Sequence, residues 1–157
     1  MKIVNGREIA ASIKIEIKED LSKIESKHGL KPKVFTIVAS ENKESNLYLK
    51  LREKACKEVG IDVHHSILPE DTSEDRLIRE IKRLNEDKDI HGIIVQFPLP
   101  KNISPNKIID AIDPKKDVEG LNPLNLGKTL AGIEEIVPCT PLAVLTILEK
   151  ENIQLQG

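Results

Sequence analysis

A chain of 157 residues with 32% charged and 39% hydrophobic side chains has the balance of a soluble globular domain, long enough to bury one continuous core. Its net charge of −2, with Lys and Arg interleaved among Asp and Glu, gives no footprint for nucleic acid, and no apolar run approaches a membrane span. Met1 runs directly into a polar stretch, so no signal peptide is expected, and Cys56 and Cys139 form no CxxC pair, which fits a reduced, cytoplasmic setting.

Helical and strand patterns alternate along the chain. Ile9, Ile13, Ile17, Leu21 and Ile24 recur at helical spacing, and Gly29 offers a stop. After Pro32, the run from Val34 to Val38 suits a buried strand. A helix is predicted from about Ser45 to Gly60, and a second strand from Ile61 to Leu68. Thr72 and Asp75 have capping-box spacing, which predicts a helix start whose apolar stripe is Leu77, Ile78, Ile81 and Leu84. Ile90 to Val95 is the third predicted strand, and it empties into Gln96-Phe97-Pro98-Leu99-Pro100. Ile108, Ile109 and Ile112 suggest a short helix, followed by a polar loop from Asp113 to Gly120. Pro138-Cys139-Thr140-Pro141 predicts a last helix with Thr140 as N-cap and Pro141 at the first helical position. The alternation points to an α/β fold of three layers, a mostly parallel sheet flanked by helices, in one domain over 1–157.

Three segments carry candidate chemistry. Tyr48 and Arg52, four residues apart, share one helix face one turn apart. A planar surface beside a fixed cation suits a flat substrate, and Tyr48 is the only tyrosine in a chain without tryptophan. The plainer reading is a surface helix with a half-packed tyrosine and a solvated arginine. In GIIVQFPLP (92–100) the two prolines around Leu99 stop ladder pairing, and Gln96 ends an apolar strand with an amide that both donates and accepts. Residues at the carboxyl end of such a strand lie where open α/β sheets place ligands, although a rigid turn alone would look the same. In KDVEG, Glu119 sits in a loop where a carboxylate can accept two parallel hydrogen bonds from an amidine-like edge, or be a solvated loop acid. The histidines carry less. His64 and His65 are adjacent on a strand and point to opposite faces, and no Cys/His spacing suggests a metal site. Neither GxGxxG nor GxxxxGK occurs, so no phosphate loop is present in these residues.

Taken together, S-N-L-Y (45–48), K-A-C-K-E-V-G-I (54–61), G-I-I-V-Q-F-P-L-P (92–100), D-P-K-K-D-V-E-G-L (113–121), N-x-G-x-x-L (125–130) and P-C-T-P (138–141) resemble the bifunctional methylenetetrahydrofolate dehydrogenase/methenyltetrahydrofolate cyclohydrolase family, in order and over nearly the whole chain. The resemblance implies an amino-terminal folate-binding domain, with a Rossmann domain for NADP expected after residue 157. It implies that Tyr48 stacks on a tetrahydrofolate substrate and that Gln96 assists near the one-carbon bridge. Val95, Gln96, Phe97, Pro98 and Leu99 would line the pocket, and Glu119 would hold the pterin edge. It further implies one-carbon metabolism serving purine biosynthesis, a cytoplasmic location and a homodimer, with no nucleic acid or membrane as partner. Without the NADP domain, hydride transfer by these residues alone is not expected.

Two positions depart from the family pattern. Arg52 stands where the family has a catalytic lysine, and a guanidinium does not exchange its proton near neutral pH. Lys54 does not substitute, because two further residues rotate it by about 200° around the helix. The resemblance therefore implies a retained dehydrogenase step with the cyclohydrolase step weakened, or, as an alternative, a folate-binding module without catalysis. Glu119 stands where the family more often has Asp, one methylene shorter, so altered pterin affinity or orientation is expected.

Overall fold

The computed structural model describes residues 3–39, 43–133 and 135–155; Met1 and the terminal Gln156 and Gly157 lie outside them. The described elements are α1 (Gly6–His28), β1 (Lys33–Val38), α2 (Lys43–Val59), β2 (Asp62–Ile67), α3 (Glu74–Glu86), β3 (Gly92–Gln96), α4 (Pro105–Ala111), α5 (Pro123–Leu130) and α6 (Cys139–Lys150). The three strands form a parallel sheet in the order β2-β1-β3, with Val38 opposite Gln96 in the register of β1 and β3. The α/β expectation holds, down to the helices on both faces.

Parallel strands need crossover connections, and right-handed crossovers running in opposite directions across the sheet put their helices on opposite faces. Here α2 carries the chain from β1 to β2, and α3 carries it from β2 past β1 to β3. Strand alternation then sorts the side chains. Ile37, Ile93 and Val95 point into one core with Leu77, Ile81 and Leu84 of α3 and Ile108 of α4. The intervening residues, including Thr36 and Gln96, take the face covered by α2, on which α1 packs.

Several boundaries differ from the sequence expectation. The α3 cap is Ser73, whose side chain accepts from Arg76 N, and not Thr72, which is buried. With Ser73 as cap, Glu74 falls in the first turn, where it accepts from Ser104 N (2.8 Å) and pairs with Lys107 (2.6 Å). The last helix starts at Cys139 with Pro138 as cap, so Thr140 and Pro141 lie inside its first turn. Proline is tolerated there because the first N–H groups of a helix have no partner within it. Cys56, on α2, is half-buried. Helix α5, capped by Asn122 through Leu124 N, occupies a stretch for which the apolar pattern gave no helix.

Candidate active site

The strand order places β1 and β3 side by side while the chain leaves β1 toward β2, so their carboxyl ends form the crevice where open α/β sheets bind ligands. Gln96 is the last residue of β3 at that crevice. Its Oε1 accepts from Arg52 Nη2 at 3.2 Å, and its Nε2 donates to the Phe97 carbonyl at 3.0 Å. Both ends of the amide are thus engaged, which fixes its orientation. Arg52 is half-buried, and its Nη1 is buried with no hydrogen-bond partner among the described residues. One turn before it on α2, Tyr48 stands 62% exposed.

The remaining strand-end residues divide. Val95 is buried within the core on the α3 face, so it can offer a ligand main chain only. Leu99 is half-buried and packs partly against that same core. Phe97 is half-buried and Pro98 exposed, with the peptide bond between them cis. Lys50 and Lys54 are both exposed, on other faces of α2 from Arg52.

Glu119 reaches the site on the loop after α4. That loop is held at many points along its length. Asp113 N donates to Asn85 Oδ1 at 3.0 Å, and Lys116 Nζ donates to the carbonyls of Leu84 and Asp87 at the end of α3. Ile93 N donates to the Lys116 carbonyl at 2.8 Å, and Asp117 bridges Ile93 in parallel, so the loop runs alongside β3. Gly92 permits this approach, because a Cβ there would meet Val118 Cγ1 at 2.5 Å. Gly120, at φ +70°, closes the turn; a Cβ on it would meet Pro138 N at 2.7 Å and Val137 C at 2.8 Å. The Cys139 thiol approaches the Val118 carbonyl at 3.5 Å from the first turn of α6.

The half-buried Glu119 carboxyl is pushed above its ordinary pKa, first by burial and also by the charge of Asp117, while the Arg52 guanidinium pulls it back down. The structure therefore brings together Arg52, Gln96 and Glu119, from α2, β3 and the loop, and turns the Val95 side chain into the core. Three polar residues without an assigned role in the sequence lie directly behind Glu119: Asp117, Asn122 and Asn125, all buried. Their signal in the sequence was the density of Asp and Asn in DVEGLNPLN, too polar for an ordinary hydrophobic interior.

The other hollows have different characters. One of about 370 Å³ at the opposite end of the sheet is lined by Lys31, Glu53, Lys57 and Asp62, and the Lys31–Asp62 pair at 2.9 Å satisfies much of its charge. Among the described residues no three His, Cys, Asp or Glu side chains are grouped so as to hold a metal ion, and no helix is long and apolar enough to cross a membrane.

Residues 4–119 match the family described as tetrahydrofolate dehydrogenase/cyclohydrolase, catalytic domain. The bifunctional protein FolD of Methanococcoides burtonii is 41% identical over 156 residues, covering 99% of this chain and 54% of that protein. The crystal structure of the bifunctional enzyme FolD, methylenetetrahydrofolate dehydrogenase/cyclohydrolase, from Campylobacter jejuni matches with a TM-score of 0.96 and 37% identity, over 100% of this chain and 56% of that one. The Trypanosoma brucei methylenetetrahydrofolate dehydrogenase-cyclohydrolase (FolD), complexed with NADP cofactor and inhibitor, matches with a TM-score of 0.93 and 33% identity, over 99% and 54%. This chain spans about half the length of these relatives. On its sequence and its fold, the chain belongs to the tetrahydrofolate dehydrogenase/cyclohydrolase family, within its catalytic domain.

Proposed function

We propose that these residues form the folate-binding part of an enzyme that oxidises methylenetetrahydrofolate to methenyltetrahydrofolate with NADP. The observation that carries this reading is the Arg52–Gln96 hydrogen bond at the β1/β3 crevice, with Glu119 close enough to feel the same guanidinium. In this reading the exposed ring of Tyr48 stacks on the flat pterin, and the Glu119 carboxylate accepts from its amidine-like edge. Arg52 and Gln96 stand at the one-carbon bridge, where a fixed cation and an oriented amide stabilise charge without reorganising. Phe97, Pro98, Leu99 and the main chain of Val95 wall the pocket.

The NADP-bearing relative supports the cofactor assignment, but the 157 residues contain no glycine-rich loop to cradle its phosphates. NADP would be held by a nucleotide-binding domain outside them, and no hydride step is assigned to this part alone. We extend the reading to a cytoplasmic homodimer serving one-carbon metabolism and purine biosynthesis.

Hydrolysis of methenyltetrahydrofolate to formyltetrahydrofolate requires proton exchange around an attacking water. Arg52 cannot supply that exchange, because a guanidinium stays protonated across the working pH range. The proposed enzyme is therefore mainly a dehydrogenase. The test follows methenyltetrahydrofolate formation with NADP, then its hydrolysis above the buffer rate, in full-length wild type and Arg52→Lys. Wild type is expected to oxidise and hardly hydrolyse, and Arg52→Lys to raise hydrolysis by roughly a hundredfold or more. Comparable rates of both steps in the wild type would overturn the narrowing. Folate binding with neither step would favour a binding module instead.

A further inference from the structure

Glu119 is one residue of a short turn, and the polar side chains beneath that turn are unlike the rest of the interior. Asp117 is 3% exposed, and its Oδ2 accepts from Asn122 N at 2.8 Å and from Asn125 Nδ2 at 2.9 Å. Asn125, 1% exposed, also donates to the Pro114 carbonyl at 2.9 Å, which ties the beginning of the loop to α5. Asn122 donates to the Ile109 and Ile112 carbonyls at the end of α4 while its own Oδ1 caps α5. The Asp117 main chain bridges β3 and accepts from Gly120 N at 3.3 Å across the turn that presents Glu119. The Asp117 carboxylate thus spans the turn that holds Glu119, to Asn122 N, and ties it to α5, while the Asp117 main chain fastens the same residue to β3 and to Gly120.

We infer that Asp117 is a positioning residue for Glu119, fixing where the folate-facing carboxylate is held. This rests on the reading of Glu119 as the residue at the pterin edge. Asp117 also acts through its charge. Glu119 faces Arg52 from α2, Asp117 from its own loop and Cys139 from the start of α6. Of the charges on it, Arg52 favours the carboxylate and Asp117 opposes it, so the Asp117 charge extends the pH range over which Glu119 keeps its proton. A network of this kind is high in consequence, because loss of one partner leaves the others buried and unpaired.

The experiment measures tetrahydrofolate binding to the full-length protein across pH, for wild type, Asp117→Asn, Asn125→Ala and Glu119→Gln. The titration of the ligand itself is common to all four and cancels in the comparison. Asp117→Asn keeps the shape and removes the charge. It is expected to weaken binding at neutral pH by roughly tenfold and to move the acid limb of the profile to lower pH. Asn125→Ala keeps the charge and removes one anchor, so it is expected to weaken binding without moving that limb. A purely structural role would change melting temperature but not the position of the acid limb. If Glu119→Gln weakens binding while Asp117→Asn leaves both affinity and acid limb at their wild-type values, the inference is overturned and the folate-edge reading stands. If Glu119→Gln binds as wild type at every pH, the folate-edge reading fails and the inference with it. Should Asp117→Asn fail to fold, unchanged affinity in Asn125→Ala overturns the positioning role.

Discussion

Helix α3 has 13 residues and buries Leu77, Ile81 and Leu84 with no exposed surface, whereas α1 has 23 residues and buries none. Both show apolar side chains at helical spacing. The difference lies in what each stripe meets. The α3 stripe closes on the inner face of β1 and β3 and on α4, with Ile37, Ile93, Val95 and Ile108 as partners. The α1 stripe meets α2 and, with Leu142, Ala143 and Ile147 of α6, borders an open hollow of about 360 Å³. Periodicity tells that a helix has an apolar face; only the fold tells how far that face is covered. It also separates two roles: the α3 side of the sheet buries most of the core, and the α2 side carries Tyr48, Arg52 and Gln96 of the candidate site.

The contrast can be broken most sharply at Ile81. Ile81→Ala removes a fully buried side chain from the packed face and is expected to cost about 2–5 kcal/mol in urea denaturation. A loss below about 1 kcal/mol would mean that this side does not carry the stability assigned to it.

The site side behaves in the opposite sense. Because burial raises the pKa of Glu119 in the folded state, its stabilising contribution is full below the ordinary carboxylate pKa and is lost as pH rises through the raised value. At neutral pH the ionised side chain is therefore a burden on the fold. Glu119→Gln is expected to raise the melting temperature at neutral pH, with the gain vanishing in acid, where Glu119 is protonated in both states. Thermal melts at the two pH values check this, and a lowered melting temperature at neutral pH would contradict it.

The smallest effect belongs to Ile15, which is 61% exposed on α1. Ile15→Ala is expected to change stability by no more than about 0.5 kcal/mol in the same denaturation experiment. A loss matching that at Ile81 would mean that Ile15, which lies off the α1 stripe, is covered as fully as an α3 core residue.

Much of the fold was legible because its strands are short apolar runs and its early helices have regular stripes. Cap positions were less so. Thr72 and Ser73 are both good N-cap residue types, and the choice between them is settled by Glu74, which must reach Ser104 and Lys107 thirty residues away. Helix α5 was hidden because it is eight residues long and carries an interior glycine, Gly127, so its formation rests on Pro123, the Asn122 cap and tertiary contacts. In the site, Tyr48, Arg52, Gln96 and Glu119 carry recognisable chemistry in their own sequence neighbourhoods. The resemblance implies Val95 as a pocket residue together with Gln96, and strand alternation sends the two side chains to opposite faces, with that of Val95 in the core. The Asp117, Asn122 and Asn125 network gave a compositional hint only, since its hydrogen bonds join α4, α5 and β3 across the fold.

Gly120 has a mechanical meaning beyond the shape of its turn. With no side chain between it and the Val137–Pro138 backbone, the turn bearing Glu119 rests directly on the chain leading into α6. Such a contact has almost no slack in compression. Displacement of α6 toward the loop is passed to the turn as a rigid push, so the position of the Glu119 carboxylate is indexed to a helix that carries neither Arg52 nor Gln96.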